Sequence, residues 1–196
     1  SSFFSCKTSS SQGGAIYFYH SSGQSVLHEV CGYDCCSTHN SPNFQFAYIQ
    51  VNNGISSKNY VNYSSISRCR SENSNSYTVL CLYYGKICCP SVNISLNMCN
   101  RRVVYCYSYC DSNSVTCSIS YSSFADNIAT GYTCIMLWPN GAKYEIKSCN
   151  IIRNTQFDLA SEGTIYAYGY VMIDNSCILE NKATNIFRQY SSSYAF

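Results

Sequence analysis

Charge is scarce in this sequence. Asp, Glu, Lys and Arg make up 11% of 196 residues, less than half of the roughly 25% usual in soluble domains. With a net charge of only +2, the chain lacks the electrostatic footprint of a nucleic-acid binder and the basic patch of a membrane-surface protein. Long apolar runs are missing too: the longest, around 132–138, is far too short to span a bilayer, so any membrane attachment is expected through segments outside this chain. Histidine occurs only at His20, His28 and His39, and no nucleophile-elbow signature surrounds any Ser or Cys, so a hydrolase triad has nowhere to form. The five Asp residues (Asp34, Asp111, Asp126, Asp158 and Asp174) are scattered, which argues against the paired carboxylates of a glycosidase and the dense cluster of a lyase calcium site. No catalytic residue, cofactor or metal is expected.

What the chain has instead is 15 Cys and 20 Tyr, with Ser and Asn filling much of the remainder. Cysteine at roughly 8% suggests an oxidising compartment, and the expected location is a cell surface or the extracellular space. Fifteen is odd, so at least one thiol is free or pairs outside this segment, and the spacing fixes no connectivity. Two glycosylation sequons, at Asn62 and Asn93, agree with that compartment. Without an initiator Met or a signal peptide, residues 1–196 are expected to be a single domain cut from a longer solenoid.

The organisation lies in a repeat. SSFADNIAT (122–130), SCNIIRNTQ (148–156) and SCILENKAT (176–184) place Asn127, Asn154 and Asn181 at intervals of 27 residues. Three places earlier stand Phe124, Ile151 and Ile178; eight places earlier Ile119, Ile146 and Ile173; ten places earlier Cys117, Tyr144 and Val171. The two-residue step between the last two sites sends both to one face of a strand. Extended towards the N-terminus, the series reads Cys6, Cys36, Cys69 and Cys99, with Phe3, Tyr33, Ile66 and Leu96 at the apolar site. The spacings of 30, 33, 30, 28, 27 and 27 are those of stacked coils with small loop insertions. A second strand follows each marker, as GGAIYF (13–18), FQFAYI (44–49), YTVLCL (77–82), VVYCY (103–107), GYTCIML (131–137) and GTIYA (163–167). Short β-branched and aromatic strands with no helical period predict an all-β fold: a right-handed parallel β-helix of about six to seven coils, three short strands per coil. Leucine-rich repeats do not fit the missing helical period, and a β-sandwich leaves the column of equivalent sites unexplained.

In such a fold, equivalent positions stack about 4.8 Å apart. Asn127, Asn154 and Asn181 are therefore expected to form an amide ladder that satisfies turn backbone groups. The preceding column, Asp126, Arg153 and Glu180, alternates in sign and is expected to form a surface salt-bridge ladder. Cys6, Cys36, Cys69 and Cys99 are expected to line one inward column as small apolar residues. The cluster His28, Cys31, Cys35, Cys36 and His39 has zinc-like residue types, but it lacks the usual paired motifs and reads as a loop staple. Tyr17, Tyr19, Tyr48, Tyr83, Tyr107, Tyr166 and Tyr168 sit beside inward positions, so strand alternation puts some of them outside, where they pack together or contact proteins or sugars.

GGAIYF at 13–18, preceded by Phe3-x-x-Cys6, resembles the GGAI-type repeats of the polymorphic outer-membrane-protein family, and more particularly the Cys-, Tyr- and Ser-rich β-helix surface proteins of parasitic protists. The FxxN half of that signature is kept at Phe124-x-x-Asn127 and, with Ile for Phe, at Asn154 and Asn181. The resemblance implies a surface-displayed ectodomain with adhesion as its role and no catalytic residues. The expected partners are protein or glycan ligands on a host or neighbouring cell. Two other roles suit the same fold: a pectate-lyase-like carbohydrate-active enzyme, and a fibre segment stacked end to end. Exposed Phe3, Phe4, Phe187 and Phe196 at the two ends would favour end-to-end self-association.

Overall fold

The computed structural model describes residues 1–9, 12–38, 44–70, 78–157 and 162–190. Every regular element among them is a β-strand, and every named pair of neighbouring strands is parallel. The chain winds into a β-solenoid of about six turns.

Three faces make up each coil. The first stacks seven short strands, from Ser2–Phe4 through Cys31–Tyr33, Ser65–Ser67, Asn93–Ser95, Ser123–Ala125 and Asn150–Ile152 to Cys177–Leu179. The second stacks seven longer ones, from Ile16–Tyr19 through Phe44–Gln50, Thr78–Tyr83, Arg102–Tyr107, Thr133–Trp138 and Ile165–Ala167 to Phe187–Gln189. The third holds six, from Ser25–His28 to Tyr170–Asp174. Two-residue strands such as Met98–Cys99 and Ile128–Ala129 fill the corner between the first and second faces, an addition to the three strands expected.

Inside, aliphatic columns interlock. Leu80, Val104, Ile135 and Ile165 stack in register on the second face, as do Cys117, Tyr144 and Val171 with Ile119, Ile146 and Ile173 on the third. Cys89, Cys106 and Cys117 are buried among these residues as small apolar side chains.

The faces meet at bends built from residues with positive φ. Ser5, Asp34, Arg68, Leu96, Asp126, Arg153 and Glu180 form one such column, and Glu29, Tyr63, Ser91, Tyr121, Ser148 and Asn175 form another. A non-glycine residue in this conformation costs roughly 1–2 kcal/mol. The cost recurs coil after coil because each bend amide reaches the next coil, as Asp126 N–H does to Ile152 O at 3.1 Å and Tyr121 N–H to Lys147 O at 2.9 Å.

These bends correct the column read from the sequence. Strand pairing sets Phe3, Gly32, Ile66, Ile94, Phe124, Ile151 and Ile178 in register. The column three residues on is therefore Cys6, Cys35, Cys69, Asn97, Asn127, Asn154 and Asn181. Cys36 pairs with Lys7, and Cys99 with Ala129, so neither belongs to it. Leu96, expected inward, is a bend residue at φ 59° and 38% exposed; Ile94 points in instead. Tyr33 gives way to Gly32, whose place is filled by the Phe46 ring: a Cβ there would lie 2.3 Å from Phe46 Cε2. Phe3 is half-buried with an edge-on contact to Phe46 at 6.2 Å, whereas Phe4 and Phe187 are exposed as expected. Tyr77, Asp158, His39 and Phe196 lie outside the described residues.

The amide ladder has four members. Asn97, Asn127 and Asn154 each donate from Nδ2 to the Oδ1 of the next asparagine at 3.0 Å, and Asn181 Oδ1 completes the series. The second Nδ2 hydrogen of each goes to a carbonyl one coil back: Ile66 O, Ile94 O, Phe124 O and Ile151 O. Each Oδ1 also accepts a backbone N–H from the coil before, beginning with Cys69 N–H on Asn97. Each amide is thus consumed inside the core, where an unpaired one costs most. At the opposite bend, Ser64, Ser122 and Ser176 do the same work with hydroxyls, accepting from Val30, Val92 and Cys149 N–H and donating to the carbonyl two residues back.

Replacing the middle of the ladder strands groups on both sides. Asn154→Leu leaves the Asn127 N–H, one Nδ2 hydrogen of Asn127 and Phe124 O without the partners that Asn154 supplies and should destabilise by about 3 kcal/mol in denaturant unfolding. Asn181→Leu, at a half-exposed position, should cost clearly less; equal losses would mean that the ladder is not cooperative. At the bends the sign reverses. Tyr121 is 67% exposed at φ 52°, so Tyr121→Gly should stabilise by about 0.5 kcal/mol, while Ser120→Gly in the adjoining strand should destabilise by a similar amount.

Candidate recognition face

Alternation along the second face does something unusual: it places mainly aliphatic residues inside and most of its tyrosines outside. In Ile16–Tyr19, read IYFY, Ile16 and Phe18 turn inward while Tyr17 and Tyr19 turn out, and strand pairing carries the same alternation into the later coils. The result is two outward columns. One runs Tyr17, Tyr48, Cys81, Tyr105, Met136, Tyr166 and Arg188. The other runs Tyr19, Gln50, Tyr83, Tyr107 and Trp138, and continues through Tyr168 and Tyr190, which extend the same hydrogen-bonded ladder.

The rings form an unbroken chain along the solenoid. Centroids are 5.5 Å apart from Tyr17 to Tyr48, 5.8 Å to Tyr83, 5.0 Å to Tyr107 and 6.1 Å to Trp138. The chain goes on to Tyr168 at 3.7 Å and Tyr190 at 4.8 Å. Tyr83 and Tyr107 are near-parallel, at 13°, whereas Tyr105 meets both edge-on. Such offset and edge-on pairs each add about 0.5–1.5 kcal/mol beyond burial, so the face is rigid before any ligand arrives.

Part of this outer layer is a second core. Cys81, Tyr105, Met136 and Tyr166 are buried although they sit outside the coil. Arg102 covers Tyr105 with its guanidinium 4.6 Å from the ring centre, and Tyr132 lies against Arg101 and Arg102 at 5.3 and 5.5 Å. Arg102 Nε is buried there without a hydrogen-bond partner. Burial raises the Tyr48, Tyr83, Tyr105 and Tyr166 phenols above their ordinary pKa, so all four remain protonated donors at physiological pH. Near Tyr17 and Tyr19, which are 51% and 58% exposed, the face opens into a depression of about 220 Å³ lined by Gln12, Tyr17, Tyr19, Phe44, Tyr48 and Tyr83. That volume suits one sugar ring or one large side chain. Within it, Tyr48 O–H donates to Gln50 Oε1.

All seven tyrosines singled out in the sequence lie on this one face. Phe44, Tyr105, Trp138 and Tyr190 belong to it as well; the aliphatic–aromatic alternation in VVYCY and IMLW carried that signal. Nothing in the sequence marked Arg102, which opens the strand Arg102–Tyr107 and lays its guanidinium over the Tyr105 ring three residues on.

The other candidate residues lie elsewhere. Asp126 and Arg153 form a bidentate pair, Nε to Oδ1 at 2.7 Å and Nη2 to Oδ2 at 2.8 Å. Glu180 lies one coil further on and makes no ion pair with Arg153 within 4 Å, so the expected ladder of three is a pair: the guanidinium fork is turned to Asp126. Asn93 is exposed, while Asn62 is half-buried with Oδ1 unpartnered. His28 faces Glu29 at 3.6 Å and meets the Tyr63 ring edge-on. Among the described residues no group of His, Cys, Asp and Glu is arranged to hold a metal ion, and no helix is long and apolar enough to cross a membrane. In the columns, carboxylates meet other residue types: Asp126 lies beside Arg153, Asp174 beside Lys147, and Glu145 between Ser118 and Met172.

The Arg153 guanidinium holds the Asp126 carboxyl below the usual carboxylate range. A lowered carboxylate pKa means stability that is present above the unfolded pKa and lost as pH falls through the folded one. Arg153→Gln should therefore lower the melting temperature slightly at pH 7 and do so less as the pH falls towards 2. An equal change at both pH values would show that the pair does not contribute. Comparison of the chain with protein-family models, curated proteins and solved structures finds no match in any of the three.

Proposed function

We propose that this chain is a non-enzymatic recognition module of the cell-surface or secreted type, and that it binds an extended glycan along the aromatic face. The observation that supports this reading is the continuous run of rings from Tyr17 to Tyr190, one per coil, with Arg102 and Arg188 lying against its inner rings. A large apolar yet hydroxyl-studded surface of this kind marks an interaction site. Rings recurring about every 4.8 Å along the axis approximate the advance of one pyranose unit in an extended polysaccharide. Pyranoses offer apolar C–H faces to the rings and hydroxyls to the phenols. The pre-packed rings lose little side-chain entropy on binding. The resemblance of GGAIYF and the FxxN sites to surface-displayed repeats fits the same role.

A panel of soluble and insoluble polysaccharides, assayed by affinity electrophoresis and pull-down, tests the reading. The chain should bind at least one extended glycan. Tyr17→Ala combined with Tyr19→Ala, at exposed positions that leave the fold intact, should weaken binding at least tenfold. Failure to bind any glycan, or binding untouched by the double change, would contradict the proposal. Release of reducing sugar from the panel would favour the carbohydrate-active alternative.

A further inference from the structure

The corrected column places three thiols, Cys6, Cys35 and Cys69, at successive levels of the first three coils. Each is held in the same orientation by the carbonyl two residues before it: Cys6 Sγ by Phe4 O at 3.8 Å, Cys35 by Tyr33 O at 3.4 Å and Cys69 by Ser67 O at 3.6 Å. Cys35 Sγ also reaches back to Phe3 O, in the first coil, at 3.3 Å. Adjacent levels are linked directly, Cys36 N–H to Cys6 O at 3.0 Å, so the Cα atoms at this position lie about 4.8 Å apart, inside the range a disulfide bridges. Access differs sharply along the column. Cys6 is half-exposed, while Cys35 and Cys69 are fully buried.

We infer that Cys6 and Cys35 are a redox pair, in which Cys6 reacts first with a small external disulfide and Cys35 resolves the adduct into an intramolecular Cys6–Cys35 bond. With glutathione disulfide as oxidant, the Cys6 thiolate attacks one sulfur; the glutathione S–S bond breaks, a Cys6–glutathione bond forms and one glutathione thiolate leaves. The Cys35 thiolate then attacks Cys6 Sγ and the second glutathione leaves. Two protein thiols lose two electrons and two protons, and glutathione disulfide is reduced to two glutathiones. Burial decides the order, because only Cys6 is reachable from solvent. The column supplies the resolving nucleophile: the neighbouring Cys69 draws the Cys35 pKa down to about 6, while Cys69 is raised and Cys6 is raised by its burial and by Cys35, so Cys6 reacts first by access and not by acidity. Oxidation would staple the first coil to the second. Isolated exposed thiols such as Cys110 and Cys177 have no resolving partner in their columns and would keep the adduct.

The test treats the whole chain with glutathione disulfide at pH 7, quenches with acid, alkylates free thiols and maps the unreduced peptides by tandem mass spectrometry. Wild type should show Cys6 linked to Cys35, with glutathione retained on Cys110 and Cys177. Cys35→Ser should lose the linkage and leave Cys6 as a stable glutathione adduct; Cys69→Ser should still form the bond, more slowly. Alkylation of both Cys6 and Cys35 in oxidised wild type, a persistent adduct on Cys6, or a Cys35–Cys69 bond would overturn the assignment. The wild-type map decides even if a variant folds poorly.

Discussion

A polypeptide that bends inside its own coil turns backbone N–H and C=O groups towards a core with no water to receive them, and this solenoid depends on the side chain that receives them. At the bend after the first face that side chain is an asparagine in the C-terminal half. Its amide spans three levels at once, accepting from the coil before, donating to a carbonyl of that coil and donating to the next asparagine. The positive-φ residue just before it, Asp126 or Arg153, exists because this geometry holds it there. The strand faces, the interlocked core and the aromatic outer layer all inherit their register from that stacking.

The N-terminal half meets the same requirement with sulfur. Cys35 donates to Phe3 O, in the place where Asn127 Nδ2 donates to Ile94 O, but a thiol is a weaker donor and cannot bridge to its neighbour as an amide does. One column thus has two chemistries: an inert amide stack from Asn97 onward, and a reactive thiol stack before it. The exchange of Asn for Cys gives up hydrogen-bond strength and gains redox chemistry.

How much of this the sequence shows depends on how regular the coils are. From Phe124 onward the coils have equal length, so Asn127, Asn154 and Asn181 could be aligned by counting, and the structure stacks them. Earlier coils carry insertions, and cysteine is too abundant to serve as a marker: Cys36 lies one residue and Cys99 two residues beyond the true positions, Cys35 and Asn97. What fixes those positions is the left-handed bend and the inward fit of Gly32 beneath Phe46, neither of which leaves a signal in residue type. The outer aromatic face was half legible. Alternation put the tyrosines outside, but their fusion into one run required the lateral register of seven strands. The Arg102 cover was not legible at all, because a charged residue at the start of a strand carries no sign of the ring it will lie over.

The central claim is that buried side-chain amides, not strand propensity, hold the coils in register. Native-state hydrogen exchange followed by NMR tests it most directly. The backbone N–H groups of Asn97, Asn127 and Asn154, each bonded only to a side-chain oxygen of the next coil, should exchange as slowly as core strand amides such as Ile135, through global unfolding alone. Exchange of those three amides at the rate of exposed turn residues, with the strands still protected, would contradict the account.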